Sequence, residues 1–356
     1  MGRFTLSIHV PLLVFVVLSL SLLVSVAYAA DDSWVTLEPM PTARSGLGVA
    51  VVDGKIYAIG GGTWGNYFGT NEMYDPDTNG WITKTSMPTP RSSFGIAVIE
   101  NKIYCIGGYT DDEETKINEV YDPATDTWET LTPMPTARYA LEANVVNGKI
   151  YMIGGHTGDP SPYLDVNEVY DPTTDSWTTK TPLTTEVGYY ASVVIDNKIY
   201  IIGGYGSNLT QIYDPETDTW NNGASIPTVV DSASAGVTTG TMSTQRIYVI
   251  GGKQDLDAVN LNQIYDPETD TWSTGTPMPT ARYGLGVAIV NDVLYALGGK
   301  EGWIGSPISV ANEQYIPSGY IPEFPSWAIL PLVIIVMLGA IIYKHRLKRL
   351  TFKGHV

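Results

Sequence analysis

The chain alternates short apolar runs with short polar turns, and this pattern predicts β-strands rather than helices. In Ile56-Tyr-Ala-Ile59, successive side chains point to opposite sides of a strand, so both faces of this strand are apolar. The preceding apolar run, Gly46–Val52, is joined to it through Asp53-Gly54, a dipeptide typical of a hairpin turn. The pattern therefore predicts antiparallel hairpins whose central strands are covered on both faces.

The same phrase recurs six times at nearly constant spacing, each time ending in Gly-Gly. Its copies begin at Ile56, Ile103, Ile150, Ile199, Ile247 and Leu294. The first glycines of successive pairs lie 47, 47, 49, 48 and 47 residues apart. A Tyr-Asp-Pro turn follows in five copies, with Trp seven residues after the Tyr, as in Tyr74 and Trp81. A fixed period of this length indicates one four-stranded antiparallel unit per repeat.

The Gly-Gly, Tyr and Trp at these offsets resemble the kelch repeat from about Trp34 to Tyr315, and the resemblance implies a β-propeller. Trp34 precedes the first Gly-Gly by 26 residues, as in most repeats, so it belongs to a fourth strand without the usual three before it. The last repeat supplies only three strands. We therefore predict an all-β, six-bladed kelch β-propeller in which an N-terminal strand completes the last blade. The alternative, an open five-and-a-half-blade solenoid, leaves an apolar edge exposed.

The two ends of the chain predict secretion and anchoring. Residues 1–29, with an uncharged run before Ala27-Tyr28-Ala29, form a signal peptide, or alternatively an uncleaved anchor. The propeller occupies 31–316, and a Pro-rich linker occupies 317–326. This linker contains Pro322-Glu-Phe324, which resembles the Pro-Glu-Phe sorting signal of archaeal surface proteins.

After the linker, the uncharged residues 327–343 predict a transmembrane helix and the basic residues 344–356 a cytoplasmic tail. We expect a single-pass cell-membrane protein with an extracellular propeller. The protein is attached to the membrane by this helix. If the Pro-Glu-Phe motif is processed, a lipid anchor replaces the helix.

Composition narrows the classes of partner. All 37 acidic residues of the chain lie between its two apolar ends. The same part of the chain contains 14 Lys and Arg, so it carries about 23 net negative charges. A nucleic-acid partner is excluded because the chain lacks the cluster of basic residues that binds nucleic acid.

Cys105 is the only cysteine, so no intrachain disulfide forms. No spacing for a metal or cofactor is recognisable, and we expect neither. Asn208 begins a possible glycosylation sequon.

The loops predict where binding occurs. One face carries short, similar Asp-Gly and Asp-Pro turns, whereas the segments after Gly-Gly vary in length, and variation on a repeat scaffold collects where ligands bind. The variable face also receives four arginines, each ten residues after its Trp: Arg44, Arg91, Arg138 and Arg282. In kelch domains that capture acidic peptides, arginine at the matching place contacts the ligand. The alternative is structural, with arginine tying neighbouring blades through carbonyls.

Aromatic side chains on the variable loops suit sugar rings or a peptide. The candidates are Trp64, Tyr67, Tyr109, His156, Tyr205 and Trp303. We therefore predict a monomeric surface module that binds a glycan or protein partner. The alternative is a carbohydrate-active enzyme, similar to the kelch mutarotases for sialic acid, with Glu142 or Glu186 as acid or base. A channel-facing Glu142 with a shifted pKa favours catalysis, and one paired with arginine favours binding.

Overall fold

The computed structural model describes residues 31–111, 113–158, 163–302 and 305–321, which form six four-stranded antiparallel sheets. The innermost strands of successive sheets contact one another, and the last contacts the first, so the sheets close into a six-bladed β-propeller. The predicted signal peptide, Pro-Glu-Phe motif, transmembrane helix and basic tail lie outside the described residues. Within the described residues, no helix has the length and apolar character needed to span a bilayer.

The strands follow the repeat along the chain. The first, β1 (Ser33–Thr36), precedes blade 1, which contains β2 (Gly48–Val52), β3 (Lys55–Ile59), β6 (Asn71–Asp75) and β7 (Gly80–Lys84). Two short strands, β4 (Gly62–Thr63) and β5 (Asn66–Tyr67), form a hairpin within blade 1. Blade 2 contains β8 (Gly95–Ile99), β9 (Lys102–Ile106), β10 (Asn118–Asp122) and β11 (Thr127–Leu131). Blade 3 contains β12 (Ala143–Val146), β13 (Lys149–Ile153), β14 (Asn167–Asp171) and β15 (Ser176–Thr179).

The remaining blades repeat this order. Blade 4 contains β16 (Ala191–Ile195), β17 (Lys198–Ile202), β18 (Thr210–Asp214) and β19 (Thr219–Gly223). Blade 5 contains β20 (Ser234–Val237), β21 (Ile247–Ile250), β24 (Asn262–Asp266) and β25 (Thr271–Thr274), with a second small hairpin of β22 (Lys253–Gln254) and β23 (Asp257–Ala258). Blade 6 contains β26 (Gly286–Val290), β27 (Val293–Leu297) and β28 (Asn312–Ile316), and β1 is its fourth strand.

The N-terminal strand closes the ring as the repeat count predicts. Strand β1 pairs antiparallel with β28, with Trp34 opposite Tyr315. The Asp32 carboxylate accepts hydrogen bonds from the Tyr315 hydroxyl at 2.6 Å and from the backbone N–H of Thr276 at 2.8 Å. In the second blade, Asp126 of the turn binds Tyr121 and the backbone of Thr85 in the same way. The predicted closed propeller is therefore confirmed, and the open solenoid is wrong.

The repeated Gly-Gly has a steric cause. Gly60 has a φ of 62° and Gly61 a φ of 82°, in the region that favours glycine. A Cβ on Gly60 would lie 2.8 Å from the carbonyl oxygen of Arg91 in the next blade. The backbones of adjacent blades therefore approach more closely than any other residue permits. In this contact the Gly61 N–H donates a 2.9 Å hydrogen bond to the Arg91 carbonyl.

The core lies between the blades, where side chains from both faces of each sheet are buried. The repeated Tyr and Trp form one packed pair per blade, as in Tyr121 and Trp128, whose ring centroids are 5.1 Å apart. The Trp128 indole N–H also donates to the carbonyl of Thr85 in the preceding blade at 2.8 Å. Cys105 is buried and unpaired, and burial raises the pKa of its thiol to about 12. Packing and strand pairing, without a disulfide, hold the ring closed.

The two ends of the propeller differ. We call the end with the Asp-Gly and Asp-Pro turns the turn face, and the end with the segments after Gly-Gly the loop face. Strand β1 begins, and β28 ends, on the turn face. From there, residues 317–321 cross this face, and the Ile321 N–H donates to the Met242 carbonyl at 2.7 Å. Both ends of the propeller thus emerge opposite the loop face, and an outward-facing loop face on a membrane stays a prediction.

Candidate functional site

The four arginines do not form an exposed ring. Arg44, Arg91, Arg138 and Arg282 are each 0% exposed and lie inside their own blades, below the loop face. Each forms an ion pair with a glutamate from the third strand of the same blade, as in Arg91 and Glu119, whose charged atoms are 2.5 Å apart. The expectation that these side chains reach a ligand is therefore wrong, because the paired guanidinium groups have no solvent-accessible surface.

The arginine side chains join strands within a blade and do not tie neighbouring blades. The Arg91 guanidinium also donates to the Cys105 carbonyl on β9 at 2.8 Å, and Thr89 donates to the same Glu119 carboxylate at 2.8 Å. The link to the neighbouring blade is made by the arginine backbone, through the carbonyl that accepts from Gly61. The arginines are therefore structural, as the alternative states, but their side chains tie strands of one blade and not neighbouring blades.

Blades 4 and 5 lack both members of the pair. Val187 and Val230 occupy the arginine positions, since their carbonyls accept from Gly155 and Gly204 of the preceding blades. The third strands of these blades carry Gln211 and Gln263 in place of glutamate. Gln211 accepts a hydrogen bond from Thr184 at 2.6 Å, and Gln263 accepts one from the backbone of Thr228 at 2.9 Å. Arginine and glutamate are therefore lost together.

A ring of six backbone hydrogen bonds surrounds the propeller axis at the loop face. Two residues after each arginine position, one backbone N–H donates to the carbonyl of the equivalent residue in the preceding blade, at 2.7–3.0 Å. The members are Gly46, Ser93, Ala140, Tyr189, Ser232 and Gly284, and each has a positive φ. Because all six blades share this conformation, it is a feature of the fold and not of one loop. It fixes the outline of the channel mouth.

A central cavity of about 330 Å³ is bounded by this ring and by the start of the inner strands. Nine residues with hydroxyl groups contribute to its wall, beside apolar residues and glycines: Ser45, Ser92, Ser93, Tyr189, Tyr190, Ser192, Ser232, Ser234 and Tyr283. Glu142 is the one carboxylate of this wall. A polar cavity with a single titratable acid suits a hydroxylated ligand.

Glu142 lies at the junction of blades 3 and 4. Its equivalents in the other blades are all small: Gly48, Gly95, Ala191, Ser234 and Gly286. Arg138 pairs with Glu168 instead, and within the described residues the Glu142 carboxylate makes no hydrogen bond or ion pair. Burial raises the pKa of Glu142 to about 8, because the ionised form loses its hydration. The unpaired, shifted carboxyl matches the condition that favours catalysis. Glu186, the other candidate acid, is exposed and does not line the cavity.

The loop face carries a continuous row of aromatic rings across blades 1 to 4, which we call the aromatic arc. Neighbouring ring centroids lie 4.9–5.9 Å apart along the path Tyr67, Tyr109, Tyr139, His156, Tyr163 and Tyr205. Tyr189 contacts Tyr139 and His156 and also lines the central cavity, so the arc reaches the channel. Burial lowers the pKa of His156, which favours a neutral ring. The arc includes Tyr67, Tyr109, His156 and Tyr205, four of the residues predicted to bind a ligand, and their contact with a ligand stays a prediction.

The other half of the loop face carries lysines. Trp64 is 63% exposed at the tip of the β4–β5 hairpin, and the Lys300 ammonium lies 4.3 Å from its ring centroid. In blade 5, Lys253 lies 3.5 Å from the Asp231 carboxylate. Both lysines, together with Tyr139 and Tyr189, are absent from the residues predicted from the sequence. The signal was their position: each lysine directly follows Gly-Gly, as do Tyr109, His156 and Tyr205.

Three further predictions concern Trp303, Asn208 and metal binding. Trp303 lies outside the described residues. Asn208 is exposed in a loop between β17 and β18, and its glycosylation stays a prediction. Within the described ranges, no three His, Cys, Asp or Glu side chains are grouped as metal ligands.

Six blades with this Gly-Gly contact and this Tyr-Trp pair define a kelch-type β-propeller. A sequence profile of the KLHDC2/KLHL20/DRC7 Kelch-repeats domain matches residues 27–155 and 96–299, which together cover more than half of the chain. The chain therefore belongs to the kelch-repeat family.

A solved structure titled "Structure of YjhT" is similar over 78% of this chain and 95% of that chain, at 16% identity and a TM-score of 0.67. At this identity the likeness concerns the fold.

Proposed function

We propose that the loop face binds a carbohydrate chain along the aromatic arc, next to the mouth of the central cavity. The observation that carries this proposal is the contiguous series of partly exposed rings from Tyr67 to Tyr205. Aromatic faces pack against the apolar faces of sugar rings, and the phenol hydroxyls add hydrogen bonds at the edges. A row of such rings accommodates several sugar units in sequence.

The cavity below the arc supports the same class of ligand. Its serine and tyrosine hydroxyls both donate and accept hydrogen bonds, as sugar hydroxyls do. We therefore favour a glycan over a protein partner.

The proposal is tested by affinity gel electrophoresis of the purified full-length protein in gels that contain neutral or acidic polysaccharides. We expect at least one polysaccharide to retard the wild type. Tyr205→Ala, which removes a ring that is 58% exposed, should weaken that binding about ten-fold, because exposed aromatic anchors carry much of such a binding energy.

The matched control is Ile82→Ala, which removes an apolar side chain that is 53% exposed on the outer strand β7, away from the loop face. This variant should be retarded like the wild type. Equal retardation of Tyr205→Ala and wild type, or no retardation of the wild type by any polysaccharide, would contradict the proposal.

A second candidate function is acid-base catalysis on a sugar by Glu142. The observation that favours it is the raised pKa of about 8, since a proton donor and acceptor works best with a pKa near the operating pH. Ring opening of a reducing sugar is one reaction that needs such a group.

Anomer exchange of N-acetylneuraminate and glucuronate, followed by NMR saturation transfer, tests this activity. We expect Glu142→Gln to lower any protein-dependent exchange rate by about 100-fold or more. Exchange that the wild type does not accelerate, or that Glu142→Gln leaves unchanged, contradicts a catalytic role.

A further inference from the structure

Lys300 is a buried cation without an anionic partner. It is 4% exposed, and the other buried cations of the described residues, the four arginines, all have glutamate partners. No described carboxylate lies within ion-pair distance of the Lys300 ammonium. A buried charge is normally paired, because desolvation otherwise destabilises it. This arrangement therefore favours a partner from outside the chain.

The lysine is held in place by the strand pairing of blade 6. The Lys300 N–H donates to the Tyr283 carbonyl at 2.8 Å, and the Tyr283 N–H donates to the Lys300 carbonyl at 3.0 Å. On its other side, Lys300 bridges Ile308. The Trp64 ring, 4.3 Å from the ammonium, supplies a weak cation–π contact. The backbone of Lys300 is thus fixed before any ligand arrives, and the ammonium lies beside the Trp64 ring.

Lys300 lines a pocket of about 230 Å³ between blades 6 and 1. Ser45, Thr63 and Ser92 contribute hydroxyl groups to the pocket wall, and Trp64, Tyr67 and Tyr283 contribute ring faces. Tyr67 is also the first ring of the aromatic arc. The pocket therefore continues the surface to which we assign carbohydrate binding, and it adds one positive charge to it.

The charge balance limits what enters this pocket. Burial lowers the pKa of Lys300 below the ordinary lysine value, and a bound anion would offset that effect. The chain as a whole has a net charge of −17, so its field repels highly charged anions. One ammonium among hydroxyls and aromatic rings instead fits a ligand with one acidic group and many hydroxyls.

We propose that Lys300 forms a carboxylate subsite for an acidic sugar residue of the glycan bound on the loop face. The proposal rests on the proposed function and names the chemistry of one position in its ligand. The carboxylate accepts the ammonium hydrogen bonds, and the sugar ring lies against Trp64 or Tyr67. The hydroxyls of Ser45, Thr63 and Ser92 surround the rest of the sugar.

The test compares glucuronate with glucose, which differ only in a carboxylate in place of a hydroxymethyl group, and includes acetate as a bare carboxylate. Binding to the purified full-length protein is measured by ligand-observed NMR titration. We expect the wild type to prefer glucuronate over glucose. Lys300→Met should lose about 10- to 100-fold in glucuronate affinity, the range expected for a hydrogen bond to a charged group, and leave glucose affinity unchanged. Acetate should bind more weakly than glucuronate, since it lacks the ring and hydroxyls.

The matched control is Lys253→Met, which removes the lysine at the equivalent position of blade 5, where Asp231 already pairs with it. This variant should keep the preference for glucuronate, and Lys300→Arg should restore most of it. Lys300→Met should also unfold at a higher temperature than the wild type without ligand, because it removes an unpaired buried charge. A lower unfolding temperature assigns Lys300 a structural role and overturns the subsite.

The outcomes separate this subsite from the proposed function. Equal affinity for glucuronate and glucose in the wild type, or equal loss in the Lys253 and Lys300 variants, overturns the subsite. The arc proposal still stands in that case if Tyr205→Ala weakens polysaccharide binding. Stronger binding of an acidic peptide such as Glu-Glu-Gly than of glucuronate assigns the pocket to a peptide and also overturns the subsite.

Discussion

Blades 1, 2, 3 and 6 carry a buried arginine and a buried glutamate, whereas blades 4 and 5 carry valine and glutamine at the same two positions. The threonine contact is kept in both kinds of blade: Thr89 binds Glu119 in blade 2, and Thr184 binds Gln211 in blade 4. The backbone tie to the neighbouring blade is also kept, as in Gly204 and Val230. The two residues are therefore replaced as a pair.

The requirement at these two positions is therefore that their charges cancel, and not that arginine is present. A lone buried arginine or glutamate leaves an uncompensated charge, whereas a buried ion pair and a well-packed uncharged pair are often of similar stability. The fold therefore tolerates either version. A role for these arginines in ligand recognition is unnecessary to explain their recurrence.

The largest loss of stability is expected when one partner of the buried pair is removed. Arg91→Val places the blade 4 residue in blade 2 and leaves Glu119 buried without a cation. We expect a loss of about 3–5 kcal/mol in the free energy of unfolding, measured with urea. Gln211→Leu in blade 4, which removes the uncharged partner of Thr184, is the control and should cost less. A loss below about 1 kcal/mol in Arg91→Val would falsify the requirement for neutrality.

A smaller effect is expected at Glu142, where an arginine-bearing blade meets blade 4. Its folded-state pKa is raised to about 8, so the folded protein holds this proton more tightly than the unfolded chain does. Its contribution to stability is full below the ordinary glutamate pKa and is lost as pH rises toward 8. We expect Glu142→Gln to gain about 2 kcal/mol relative to the wild type between pH 6 and pH 9. Thermal unfolding across this range measures it, and parallel pH profiles contradict it.

The smallest effect is expected when both partners change. Arg91→Val combined with Glu119→Gln converts blade 2 to the arrangement of blades 4 and 5. The free energy of unfolding should return to within about 1 kcal/mol of the wild type, because no buried charge is left unpaired. A double-mutant cycle in urea gives the coupling energy. Additive losses from the two single changes contradict the pairwise account.

The fold was predictable because the spacing of the repeated residues reports the number and order of the strands. The spacing of Gly-Gly gives the blade count, and the offset of Trp34 gives the closing strand, since both depend on local turns and strand lengths. The closure adds a detail that spacing does not show. Asp32 makes for blade 6 the two hydrogen bonds that Asp126 makes for blade 2, one to the tyrosine of its own blade and one to a backbone N–H of the preceding blade.

The site was less predictable because its contacts join distant segments. The burial of Arg44 depends on its ion pair with Glu72, which lies on β6, after the hairpin of β2 and β3. A signal for this pairing did exist, since glutamate precedes the repeated Tyr by two residues wherever arginine is present and is glutamine elsewhere. The location of the aromatic candidates on the loop face was more predictable, because Tyr109, His156 and Tyr205 directly follow Gly-Gly and the fold fixes where such residues lie. The missing partner of Lys300 is visible only in three dimensions.

One binding measurement separates the scaffold from the proposed binding surface. The dissociation constant for the polysaccharide that retards the wild type is determined for Tyr205→Ala and for the double variant Arg91→Val with Glu119→Gln. We expect about ten-fold weaker binding for Tyr205→Ala and wild-type binding for the double variant, since Tyr205 is exposed and Arg91 is buried. Unchanged binding by Tyr205→Ala together with lost binding by the folded double variant would contradict the assignment of binding to the aromatic arc and of structure to the arginine pair.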